Sequence, residues 1–473
     1  AREGPPRRAH RSMAHDSSAA KGADRASAGE LLYRIRYLLC AVTLAIVEFV
    51  SVAPCSQYIT LTFFAEAHGG GDCAATPSSG PCRRAASDAA LYYAVSSGAC
   101  NSVGAVMALV LGSYSDKVGR RPLLRIRSWM SLLPPVTLAA HVFAGQTLWL
   151  FLLGGPIFRA CDVSGVYLAT VNDLVANPRQ QAGALGLFMT WCVVIVASML
   201  PLAGLLPAPA LVLVSLAAAG AKLAYMYTSF PETLQAKAAT ARPQGLLDGP
   251  QAALGVFTRN SVILRVATLL VLSSVSSAGM GTVLGPYLTG YLGLTRSTGT
   301  GLTAVAVASG TLGLALAGPA VRCAGEVGAL RACLVATVAF PVLCGACGDG
   351  WQVAAVVAAL CPALFMLVPI ISGIKSNLVA KDEQGLIQGS IACICNLATA
   401  TADVFFGWAY RHFTDGGAAA ERSVVLPIFH AIALLAAAAW LLALSLPLAL
   451  PPPPSSGLAA AAAAEALLQA ERP

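Results

Sequence analysis

The strongest constraint on this chain is the recurrence of apolar runs about as long as the hydrocarbon core of a bilayer is thick. A helix needs about 20 mainly apolar residues to cross that core. Runs of this kind fall at roughly 37–64, 88–114, 123–144, 147–171, 183–206 and 208–229. After a polar stretch from Phe230 to Asn260, six more follow at roughly 261–290, 298–320, 329–347, 351–374, 385–410 and 424–450. Two junctions need a tight turn inside apolar sequence, and Leu-Pro-Ala-Pro ending at Pro209 and Gly348-Asp349-Gly350 supply turn residues there. Only 11% of the 473 residues are charged and 57% are hydrophobic, against about 25% charged in soluble domains. A soluble fold has no place for that much apolar surface. The pattern predicts an all-α membrane protein of 12 transmembrane helices in two six-helix halves.

On this reading 1–36 is a cytosolic, disordered N-terminal segment and 37–229 the first half. A central cytosolic loop follows at 230–260, then the second half at 261–450 and a disordered cytosolic tail at 451–473. Residues 1–30 contain no signal-peptide apolar core, so the first span is expected to serve as an uncleaved start signal. With the N-terminus inside, cytosolic segments hold 22 of the 30 Lys and Arg residues. The opposite loops hold Arg83, Arg84, Arg296, Arg411 and Arg422. That is the positive-inside pattern, and it absorbs most of the net charge of +8. No basic soluble domain remains to bind nucleic acid. Most of the 14 cysteines lie in spans, where a thiol acts as a small apolar group. Cys73 and Cys82 are different, being nine residues apart in the Gly- and Pro-rich loop between the first two spans. A disulfide or two free thiols are both open there.

Between the second and third runs stands GSYSDKVGRRPLL, from Gly112 to Leu124. Asp116 and Arg120 are four apart and can pair on a helical turn. Gly119 permits a tight backbone, and Pro122 suits the first turn of a helix. Positive-inside bias explains the cations but not the acid and the glycines at these intervals. The stretch resembles the G-x-x-x-D-x-x-G-R-R/K signature of the major facilitator superfamily, matched by Gly112, Asp116, Gly119, Arg120 and Arg121. A partial copy recurs as Gly318, Arg322 and Gly325, offset by 206 residues, and Gln181 and Gly186 recur as Gln384 and Gly389, offset by 203. Near-equal offsets point to duplicated halves. FPETL at Phe230–Leu234 closes the first half, as similar runs do in the superfamily. The resemblance implies that Asp116 sits near the start of span 11, about Glu383–Gly385, where a helix N-terminus favours a carboxylate. Asp116 and Arg120 would then be gate residues.

Several islands are similar to the proton-coupled folate transporter and thymic stromal cotransporter family. They are PCSQYI with Pro54, Gln57 and Tyr58, the signature with its Pro-Leu-Leu, VNDL at Val171–Leu174, and DEQGLIQGSIACICNLA at Asp382–Ala398. The chain departs from that family elsewhere. Trp191 stands near the place of its span-five acid, span seven has no histidine, and the loop about Tyr291–Ser297 has no cysteine. Folate and proton coupling are not carried over.

A charge at mid-membrane costs about 2.5–3.5 kcal/mol or more on insertion scales. Glu48, Arg159 and Asp162 lie at similar depths in spans one and four, which line the cavity in the superfamily. Glu48 is therefore expected to face Arg159, with Asp162 as an alternative partner one turn away. Lys222 and Asp403 occupy supporting spans. Lys375, at the end of span ten, either snorkels to the cytosol or serves the site, and the four serines from Ser273 to Ser277 suit helix packing. No G-x-x-x-x-G-K-[ST] loop occurs, which argues against an ATP-driven pump, and no nucleophile, base or metal constellation suggests an enzyme. The expectation is a secondary transporter of a small organic solute working by alternating access as a monomer in a lipid bilayer. Proton coupling is open, no cofactor or metal is expected, and Gln57 and Tyr58 join the buried charges as substrate candidates. The alternative is a non-transporting receptor or scaffold on the same fold.

Overall fold

The computed structural model describes residues 28–70, 73, 79–160, 164–175, 178–233, 261–377, 384–414 and 422–447. Among them the chain is helical with no strand. The first half contains α1 Ala28–Glu66, α2 Gly80–Val118, α3 Arg120–Met130, α4 Leu133–Ala144, α5 Trp149–Ala160, α6 Ser164–Leu174, α7 Pro178–Leu205 and α8 Ala208–Thr228. The second contains α9 Ser261–Pro286, prolonged by a π turn at Tyr287–Tyr291, then α10 Arg296–Ala346, α11 Gly350–Asn377, α12 Gln384–Thr414 and α13 Arg422–Leu444. Eight of these, α1 and α7–α13, are long and apolar enough to cross a bilayer.

The structure divides four of the twelve apolar runs differently from the sequence expectation. The third is two helices, α3 and α4, broken just before Pro134 and Pro135; proline has no N–H to continue a helix and fits its first turn. The fourth is α5 and α6, on either side of residues 161–163. The eighth and ninth form the single run α10, which turns at Gly325 with φ 70° and ψ 167°. Gly119, at the signature, has φ 102° and ψ 164°. Both are conformations open essentially to glycine alone, so the glycine of the signature and that of its worn copy make the same backbone turn.

Helix pairing repeats between the halves. α1 packs on α7 and α8 as α9 packs on α12 and α13. The first half is built on buried side chains such as Leu38, Leu124, Phe188 and Met226, and the second on Leu269, Leu330, Ile374 and Ile391.

The halves meet chiefly where α2 lies along α12 and α7 along α10. Small residues set the first seam: a Cβ on Gly98 would come 2.7 Å from Val404 and 2.9 Å from the Ala400 carbonyl, and one on Gly407 would collide with the Ala94 methyl. Farther along, Asp88 on α2 pairs with Arg411 on α12 at 3.3 Å and with His68 at 2.9 Å, and the Tyr58 hydroxyl donates to the Leu294 carbonyl at 3.3 Å. On the other seam a Cβ at Gly204 would strike Thr300. These contacts lie at the end of the bundle that carries Cys73 and Cys82. There the two cysteines form a disulfide, with Cα atoms 5.6 Å apart, buried with Leu61, Ala65, Ala85 and Ala86 between the end of α1 and the start of α2.

Candidate functional site

Two cavities of about 540 and 400 Å³ adjoin along α1 and α2. Gln57, Tyr93 and Ser97 line both, so the two cavities adjoin around these three polar side chains. Each cavity is within the range of ligand-binding pockets, about 300–1,000 Å³.

The larger cavity lies within the first half. Buried positions on α8 recur as Leu211, Val212, Ser215, Ala218, Ala219, Lys222 and Met226, an i, i+3, i+4, i+7 face. Ser215 and Lys222, two turns apart on that face, reach α1 together. The Ser215 hydroxyl donates to the Glu48 carbonyl at 2.9 Å, and the Lys222 ammonium pairs with the Glu48 carboxylate. Glu48 and Lys222 are only 6% and 3% exposed, so neither charge is stabilised by bulk water. Arg127 from α3 lines the same cavity. Its guanidinium stacks 3.8 Å over the Phe158 ring and donates to the Phe158 carbonyl at 2.9 Å.

Glu48 is thus at the cavity, as expected, but its partner is Lys222, which sequence reasoning assigned to a supporting span. The packing of α1 along α8 brings Glu48 and Lys222 together. The side chain of Arg159 and all of Asp162 lie outside the described residues. Arg127 was not singled out, because at the edge of a run it reads as one more positive-inside charge.

The smaller cavity lies between the halves, and Asp403 of α12 forms part of its wall. Its carboxylate accepts the Ser97 hydroxyl at 2.7 Å and the Asn101 amide at 3.1 Å, both from α2. It also accepts the Thr282 hydroxyl of α9 at 3.0 Å. Ser97 and Asn101 are four apart, and so stack on one face of α2. Asp403 is 5% exposed. Gln57, Tyr58 and Tyr93, the last one turn before Ser97 on α2, also line this cavity. Asp403 was another residue read from sequence as support.

The signature lies at the far end of the bundle. Arg120, buried at the start of α3, donates from Nε to Asp173 of the VNDL stretch at 2.9 Å. The carboxylate of Glu232, in FPETL, accepts the backbone N–H groups of Arg120 at 2.9 Å and Arg121 at 3.2 Å. An acid here meets the positive end of the helix dipole and its unpaired N–H groups. Arg121 also donates to the Tyr227 carbonyl at 3.0 Å. These bonds stay within the first half. The side chains of Asp116 and Lys375 lie outside the described residues, as do Glu383 and the side chains at the start of α12 that Asp116 was expected to touch, while Gly112 falls within α2. The Trp191 indole donates to the Thr43 hydroxyl at 2.9 Å. Among the described residues no group of three or more His, Cys, Asp and Glu is arranged to hold a metal ion.

No protein-family model and no curated protein sequence matches the chain. Solved structures do. The human organic anion transporter MFSD10 (TETRAN) superposes with a TM-score of 0.62 at 16% identity, over 86% of this chain and 98% of the other. The nucleoside transporter NupG gives 0.62 at 14%, over 86% and 99%. A D-xylose–proton symporter gives 0.60 at 13%, over 87% and 97%. At such low identity the likeness is one of architecture, and it extends over nearly the whole of each molecule. With its repeated helix pairing, paired glycine turns and two-half seam, the chain has the fold of the major facilitator transporters.

Proposed function

We propose that the protein is a secondary transporter that carries a small organic solute across a membrane by alternating access. The observation that carries this reading is the pair of adjoining cavities, whose walls hold the buried charged residues Glu48, Lys222 and Asp403. The smaller cavity is bounded by both halves, which meet through close-packed small residues, an ion pair and the hydrogen bonds of Asp403. Halves joined in this way can rock apart at one end while closing at the other.

The chain is read as twelve passes: α3 with α4 and α5 with α6 each make one, and α10 makes two around Gly325. With both termini in the cytosol, the end that carries the Asp88–Arg411 pair and the disulfide faces away from it. The signature and Glu232 then lie on the cytosolic side, where Asp116 and Arg120 serve as gate residues and Gly112, Gly119 and Arg121 shape the turn. Glu48, Lys222 and Arg127 form the polar pole of the cavity, with Arg159, Asp162 and Lys375 as further candidates for substrate or coupling ion. Neighbours of the same fold include a proton symporter and carriers of organic anions and nucleosides, which supports a small-molecule substrate, with proton coupling through Glu48 as one form of the mechanism. The closer kinship to the folate and thymic stromal carriers rests on the Gln57–Tyr58, VNDL and Asp382–Ala398 islands.

The test is solute flux into proteoliposomes holding the purified chain, over organic anions, amines, nucleosides and sugars, with and without a pH gradient. Saturable uptake that Glu48→Gln abolishes supports transport. Binding without flux for every solute that binds would favour the receptor or scaffold alternative.

A further inference from the structure

The carboxylate of Asp403 has three neutral donors, Ser97, Asn101 and Thr282. None of the residues lining its cavity is basic, and Asp403 forms no ion pair among the described residues. An ionised carboxylate offers about four acceptor positions, so at least one remains, and among the described residues the negative charge itself has no counter-ion. The walls around it suit a cation. The Tyr58 and Tyr93 side chains and the Gln57 amide line the same space, and aromatic faces attract ammonium groups. Ala86, Ala90, Ala94 and Gly281 leave room beside them.

We propose that this compartment binds the ammonium group of an organic amine, with Asp403 as its counter-ion. The proposal rests on the transport reading above and names the class of substrate for it. The body of the amine can extend into the adjoining larger cavity. From Gln57 the lining of that cavity runs along α1 to Glu48, nine residues or about 13.5 Å away at 1.5 Å per residue, and includes Tyr92, Phe158 and Tyr167. An amine on an aromatic body therefore fits, and a second, anionic end would arrive near Lys222 and Arg127. Binding also bears on the seam between the halves. Ser97 and Asn101 both donate to Oδ2 of Asp403, so an ammonium taking that oxygen competes with the two bonds that tie α12 to α2.

The test uses the full-length purified protein and thermal unfolding with graded 2-phenylethylamine and tryptamine. The matched probes are 3-phenylpropionate, 3-phenylpropanol and sodium chloride. The expected result is saturable stabilisation by at least one amine, not reproduced by the carboxylate, the alcohol or sodium. Asp403→Asn should raise the half-saturating amine concentration at least tenfold, and Asp403→Glu, which keeps the charge, should retain binding. If Asp403→Asn does not fold, the wild-type comparison still decides. Equal stabilisation by the alcohol or the carboxylate, or by sodium alone, overturns the proposal, as does the absence of an effect with both amines. Saturable flux of anions or sugars alongside any of those failures would leave the transport reading standing and remove only the amine.

Discussion

Lys222 of α8 and Glu48 of α1 form an ion pair inside the first half, with neither side chain open to bulk solvent. Charges so placed depend on each other, because either one alone would be left buried without compensation. Glu48→Gln or Lys222→Met should each cost roughly 3–5 kcal/mol of stability, and the double variant should recover most of that loss. Thermal unfolding in detergent reads the cycle. Strictly additive losses would mean that the pair is not an energetic unit. Uptake separates stability from function, since a double variant that folds but does not transport assigns the charges themselves a role.

Gly119 and Gly325 make the same turn in surroundings that differ. A Cβ on Gly119 would come 2.6 Å from a Glu232 carboxylate oxygen, whereas one on Gly325 would meet nothing within 4 Å. Alanine at either position adopts a conformation that costs about 1–3 kcal/mol, but Gly119→Ala must also displace the acid that caps α3, which adds about 1 kcal/mol. In a Glu232→Ala background the penalty at Gly119 should fall to that at Gly325. Equal penalties in the natural background would show that Glu232 yields without cost.

The membrane fold was legible because it depends on the length and number of apolar runs, which are local properties of the sequence. The turn at Gly119 and its copy at Gly325 could be read for the same reason. The partners of buried charges could not. Depth along a helix is a one-dimensional measure, and it assigned Glu48 to Arg159. The choice of Lys222 depends on which face of α8 meets α1, and the recurrence of Ser215, Ala218, Ala219 and Lys222 on that face was the available signal. Asp403 was missed for a related reason: Ser97, Asn101 and Thr282 look like ordinary helix polar residues until the two halves are brought together. The reach of Glu232 to α3 spans 112 residues, and nothing in FPETL alone points to it.

The Cys73–Cys82 bond closes a loop of about ten residues, and the loop-entropy relation gives about 2.5 kcal/mol for it. Replacing both cysteines with serine should lower stability by about that amount while the fold persists, because the joined ends of α1 and α2 also bury Leu61 and Ala65. Peptide mapping under non-reducing conditions should recover 73 and 82 in one linked species. Free thiols at both positions, in protein from an oxidising compartment, would sink the assignment.

The last prediction concerns the seam that alternating access must break. At Gly407 the α12 backbone sits so close to α2 that an added Cβ would collide with the Ala94 methyl and come 3.3 Å from the Ala90 carbonyl. Gly407→Val therefore cannot be accommodated by a rotamer change, since the clash begins at Cβ. Either α2 and α12 separate or the helices deform. Separation is the cheaper course, because the bonds it breaks are few: Ser97 and Asn101 to Asp403, and the partly exposed Asp88–Arg411 pair, which is worth no more than about 1 kcal/mol. Gly407→Val should thus shift the protein toward a form open at the disulfide end. A cysteine placed at Ala90, buried in the seam, should then react with a polar thiol reagent at least ten times faster than in the Gly407 parent. Cys333, buried in the core of the second half, should stay protected, and a matching rise there would signal unfolding instead. Moving the methyl rather than adding one, with Ala94→Gly and Gly407→Ala together, should return the Ala90→Cys rate toward that of the parent. Protection at position 90 unchanged by Gly407→Val, in protein that remains folded, would show that this seam is not the one that opens.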